Sequence, residues 1–251
     1  MNAELQHMAE LVIAIKSAMK TGKALKNSME EYLEEVVFIF APVHKLFRSK
    51  GTISLKDVNE WFAHLQEKGL QDIMLLAESQ SDINLLGFAN GLQNCVIGTQ
   101  YDKDGAIWAK QWNFDQNVKK WSIFYRETAR TGEMPKVQLS DPTIGLHHAL
   151  QQIAELADSI DATNFANIFR KSDDELMGIQ TSQSIEVSMP EKNQRLYKAA
   201  TNAWVFGAMG SWNDSPPYMA KDKGLSEEYD MLTSKLYGYI IEALIFSVNI
   251  W

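Results

Sequence analysis

Apolar residues three and four positions apart recur along most of this chain, the spacing of amphipathic helices. Leu5, Met8, Leu11, Val12, Ile15 and Met19 share one helical face, and Gly22 follows as a stop. Ser54 stands as a cap before Leu55, Val58, Trp61, Phe62 and Leu65, and Gly69 closes that segment. Asp141 and Pro142 open a helix whose buried face is Leu146, Ala149, Leu150, Ile153, Ala157 and Ile160. A shorter one follows from Ala162 to Lys171, with Phe165, Ile168 and Phe169 inward. The last quarter predicts a helix from Pro190 towards Met209, a decorated loop, and a helix from Ser226 to Asn249. That last helix is apolar around nearly its whole circumference (Leu232, Leu236, Ile240, Leu244, Val248), which marks a core helix.

Elsewhere the pattern is less even. Ser28–Glu31 matches a capping box and opens a helix to about residue 41, although Val36–Phe40 is β-branched and aromatic and fits a short strand equally. Residues 70–78 and 82–97 read as two further helices. Gly105–Arg130 is aromatic-rich, with Trp108 and Trp112, and Trp121 and Tyr125, each paired at i,i+4 on a helix. Pro135–Pro142 is a connector between lobes 1–134 and 135–251, and residues 179–189 form a polar loop with a short strand at 185–187. The sum is an all-α protein: a multi-helix bundle of roughly eight to nine helices in one domain.

Composition adds limits. The chain has 251 residues, 45% hydrophobic and 22% charged, ample for a large core. No uninterrupted apolar run approaches the ~18 residues of a membrane span. The single cysteine, Cys95, fits a reducing compartment, and Met1–His7 lacks the basic start of a signal peptide, so a cytoplasmic protein is expected. A formal charge of −8 argues against nucleic acid as a partner. Acids concentrate in residues 141–190, where Asp173, Asp174 and Glu175 are consecutive.

No motif for catalysis, a cofactor or a metal emerges. Asp102–Ile107 imitates part of a calcium loop, but Gln100 and Gln111 occupy the positions that need carboxylates. His147 and His148 are adjacent and diverge by about 100° on a helix, so one ion cannot take both from it. The densest cluster of binding groups is the 210–224 loop, with Trp212, Asn213, Asp214 and Tyr218. Turn chemistry explains each of these residue types, and the loop reads first as self-packed. The expected function is therefore a non-enzymatic protein-binding module whose acidic face (Asp173, Asp174, Glu175) docks a basic protein, an immunity- or antitoxin-type inhibitor being one instance. The alternative is an enzyme or small-ligand binder with an aromatic pocket lined by the Trp108–Tyr125 region, Trp112 included, and the Trp212 loop.

Overall fold

A computed structural model describes residues 3–25, 30–41, 44–45, 48–49, 53–77, 95–134, 140–180, 188–207 and 209–251. The architecture is α/β, not all-α. Among the described residues a mixed six-stranded sheet accompanies seven helices. The helices are α1 (Ala3–Thr21), α2 (Val58–Glu67), α3 (Thr143–Ser159), α4 (Thr163–Met177), α5 (Glu191–Asn202), α6 (Pro216–Asp222) and α7 (Ser226–Asn249). The strands are β1 (Leu33–Ile39), β2 (His44–Lys45), β3 (Arg48–Ser49), β4 (Ser54–Leu55), β5 (Asp72–Ala77), β6 (Cys95–Gln100), β7 (Asp104–Asp115) and β8 (Lys120–Thr131). The sheet runs β4-β1-β8-β7-β6-β5, with β1 parallel to β8, and β2 and β3 pair separately.

The chain divides into two compact units. One comprises residues 10–76 and 95–137 and holds the sheet; the other comprises residues 1–9, 77–94 and 138–251 and holds α3 to α7. The expected capping box at Ser28–Glu31, most of the 82–97 helix, the 135–142 connector and the 185–187 strand lie wholly or partly outside the described residues.

The larger corrections fall in the sheet unit; in the helical unit α5 ends at Asn202 rather than near Met209, and α6 lies within the expected 210–224 loop. Val36–Phe40 belongs to a strand, as its β-branched and aromatic residues favour. Residues 72–77 and 95–97 are strands, and 105–130 is a long β-hairpin. The i,i+4 pairs misled because four is a multiple of the strand period: Trp108 and Trp112 share a face in either conformation. The hairpin turns at Gln116–Lys119, where Asp115 Oδ1 accepts the backbone N–H of Asn117 at 2.7 Å and Lys119 takes φ 54°. Helix α2 starts later than its sequence suggests. Ser54 lies in β4, and Asp57 is the cap, its carboxylate accepting the N–H groups of Asn59 and Glu60.

An aromatic stack fills the sheet unit. Phe38 on β1 lies between Trp61 of α2 (centroids 4.0 Å apart, planes 9° apart) and Tyr125 of β8 (5.3 Å, 11°), while Trp108 meets Trp61 edge-on. Trp108 donates its indole N–H to Thr99 Oγ1 at 3.2 Å, so this buried polar atom is satisfied. Lys68, following α2, pairs with Glu127 of β8 at 3.2 Å and lies over the Phe40 ring.

The helical unit follows the sequence more closely. Helix α3 begins at Thr143, whose N–H donates to Asp141 Oδ1 at 3.0 Å, and α4 ends at Gly178 in the left-handed region. Helix α7 is long and apolar enough, by length and composition, to cross a membrane; here Leu232, Leu236, Ile240, Leu244 and Val248 are buried, and it packs against α3 and α5. Helix α1 is buried over most of its length, including His7, whose imidazole burial lowers to a pKa of about 4.

Candidate functional site

The residues singled out in sequence fall into separate places. Trp212 is wholly buried in the helical unit: it stacks on Tyr229 at 5.2 Å, meets Phe165 and Phe169 edge-on, and donates its indole N–H to Thr233 Oγ1 at 2.8 Å. Tyr229 in turn donates its hydroxyl to the Trp212 carbonyl. Asp214 accepts the Gly210 N–H, the local turn bond its residue type favours. Asn213 is half-buried with its Oδ1 enclosed and without a partner among the described residues, and Tyr218 on α6 is exposed. Trp108 lies in the aromatic stack of the other unit. Trp108 and Trp212 are each enclosed by side chains of their own unit, so neither ring presents a free face to a ligand.

The acidic stretch is largely compensated within the helical unit. Asp141 pairs with Lys192, Asp158 with Arg170, and Asp161 with Lys223. Glu175 is buried 3.8 Å from Lys198. Asp174, half-buried, receives the N–H of Ile179 on its backbone carbonyl. Asp173 Oδ1 holds His147 Nδ1 at 2.6 Å across the α3–α4 hairpin. A carboxylate that orients one imidazole nitrogen leaves the other for proton transfer. No described hydroxyl or thiol is hydrogen-bonded to His147 Nε2, and His148 lies tilted beside it, ring centroids 5.3 Å apart. This arrangement ties two helices together without an adjacent nucleophile.

Among the described residues, exposed aromatic side chains gather at the turn end of the β7–β8 hairpin. Successive strand residues face opposite sides. On the side that carries the aromatic stack, the row continues past the stack's edge: Trp112 meets Trp121 at 6.0 Å, and Phe114 lies opposite Trp121 at 5.1 Å. Here the rings emerge into solvent, with Phe114 47%, Val118 50%, Trp121 37% and Tyr32 42% exposed. Tyr32 is held beside them because its carbonyl accepts the Trp121 N–H at 3.0 Å. Burial and the nearby carboxylates of Glu30 and Glu10 push the Tyr32 phenol above its ordinary pKa.

On the opposite side of the hairpin, Glu35, Ser122 and Asn113 form a row across β1, β8 and β7. An open groove of about 710 Å³ follows this row, lined also by Glu34, Lys56, Phe114, Asp115, Gln116 and Phe124. Lys56 reaches Glu35 at 2.7 Å; that hydrogen bond, with the charges of Glu35 and Glu34, raises its pKa. Three carboxylates against one ammonium leave the groove electronegative. Of the residues anticipated from sequence, only Trp112 belongs to this region, bridging the buried stack and the exposed rings. The signal that finds the others is the alternation Trp108, Trp112, Phe114 and Trp121, Ile123, Tyr125 about the turn at 116–119, a period of two.

No protein-family model matches the chain, and no curated protein or solved structure is similar to it.

Proposed function

We propose that this protein is a non-catalytic recognition module that holds a basic segment of a partner protein at the turn end of the β7–β8 hairpin. One observation carries the reading: Phe114 and Trp121, in ring contact at 5.1 Å, are exposed near the hairpin turn together with Val118 of the turn and Tyr32, whose backbone bonds Trp121, beside a groove with an excess of carboxylates. Exposed aromatic clusters of this kind mark interaction surfaces, and Trp and Tyr dominate binding hot spots. Glu30, Glu31 and Glu34 flank the cluster on the β1 side, and Lys119 and Lys120 at the turn, so a bound segment has a preferred direction along the field.

The partner is still basic, but its contact surface lies away from residues 141–190. Asp141, Asp158, Asp161 and Glu175 there already have cationic partners, and a paired charge contributes less to steering.

A displayed peptide library panned against the protein tests the reading. Wild type is expected to enrich peptides of net positive charge, and Trp121→Ala is expected to weaken their binding by on the order of tenfold or more. Trp121 is part-exposed, so the variant keeps the fold, which circular dichroism checks. Enriched peptides without a basic bias, or binding indifferent to Trp121→Ala, would overturn the proposal.

A further inference from the structure

The groove behind the exposed rings has a more specific chemistry than its net charge. Ser122 lines it, only 8% exposed as a residue, and its hydroxyl, which still reaches solvent, has no hydrogen-bond partner among the described residues. A hydroxyl whose bonds go only to water is a place where a ligand's donor can take the water's place. Around it stand further acceptors. Among the described residues, Asp115 uses Oδ1 for its own turn and Oδ2 has no partner, and Asn113 Oδ1 accepts only a long bond of 3.4 Å from Gln111. Glu34 is exposed on the groove wall, whereas Glu35 is already matched by Lys56 at 2.7 Å. The half-buried ring of Phe124 lies in the next cross-strand row, opposite Val37 and Gln111.

The geometry points to this groove as the seat of an arginine side chain from the basic segment, its guanidinium donating to Ser122, Asn113 and the carboxylates of Glu34 and Asp115. The inference rests on the recognition-module reading and names the residue that the module reads. Arginine fits better than lysine for three reasons. Its five N–H donors spread in a plane and reach several acceptors at once, its flat face stacks on Phe124 or Phe114, and it gives up hydration more readily than an ammonium. A phosphate or carboxylate ligand would meet uncompensated negative charge there.

The test uses the full chain, isotopically labelled, titrated separately with N-acetyl-L-arginine amide and N-acetyl-L-lysine amide and followed by backbone NMR shifts. The expected result is saturable perturbation centred on Asn113, Ser122 and Glu34, with arginine amide binding several-fold more tightly than lysine amide. Ser122→Ala and Glu34→Gln are each expected to reduce the arginine affinity by about threefold to tenfold, in line with loss of a single charge-assisted contact. Equal affinity for the two amides, shifts centred elsewhere, or indifference to both variants would overturn the assignment. The two proposals fail separately. If the library yields basic peptides that depend on Trp121 while arginine amide leaves the groove unperturbed, the arginine seat is wrong and the recognition module stands. If arginine amide fills the groove but no basic peptide is enriched, the seat stands as a small-ligand site and the module reading falls.

Discussion

His7 makes the fold acid-sensitive, by an amount the structure sets. Its side chain is buried in α1 at 8% exposure, and burial holds its pKa at about 4 against an ordinary 6.5. The unfolded chain binds a proton at this residue as pH falls through 6.5, while the folded chain resists until about pH 4. Between those values the unfolded state carries the extra proton, so stability falls with acidification. From pH 7 to pH 5 the loss from this residue is about 2 kcal/mol, and it levels off near 3 kcal/mol below pH 4, each tenfold change in proton affinity being worth ~1.4 kcal/mol. The assay is urea unfolding of wild type and His7→Gln at pH 7 and pH 5. Carboxylate titration is common to both proteins and cancels in the comparison, leaving wild type about 2 kcal/mol more pH-dependent than the variant. Equal pH dependence, or an NMR titration of the His7 ring with a midpoint above pH 6, would refute this account.

Two further predictions concern buried groups. Trp212→Ala removes a ring packed on Tyr229, Phe165 and Phe169 and orphans Thr233, so it should destabilise the helical unit by about 3–5 kcal/mol in chemical denaturation; a change under about 1 kcal/mol would mean the loop is not anchored by this residue. Burial pushes the Cys95 thiol up to about 11, with Lys110 opposing. At pH 8 roughly one thiol in a thousand is therefore ionised, and a disulfide reagent should label native protein far more slowly than denatured protein; equal rates would show the thiol to be open.

The legible and illegible parts of this fold divide along the two units. In α3, α4 and α7 the buried residues follow the 3.6-residue period over several turns, and that redundancy makes the period readable. In the hairpin, the landmark aromatics were four residues apart, a spacing that serves helix and strand alike, and Phe114 and Ile123 were the positions that distinguish them. Strands β1 and β5 are buried on both faces over short lengths, so their apolar runs carry no alternation to read. Local turn chemistry accounts for Asp214 in the Trp212 loop, but of the two rings expected to anchor it only Trp212 does so, packed by residues far along the chain, while Tyr218 is exposed. The candidate site was not legible, since Glu35, Ser122 and Asn113 come together only through strand pairing.

By itself, the sequence determined the amphipathic helices of the C-terminal half and the acidic balance, because each depends on neighbours within a few residues or on composition. Tertiary structure decided which acids stay free and which side of the hairpin is open. Pairing Asp141 with Lys192 and Asp173 with His147 takes residues 51 and 26 positions apart, and the groove takes a parallel partner strand nearly ninety residues away. Cross-strand register and helix packing bring such groups within hydrogen-bond reach, and neither has a period along the chain from which it can be read.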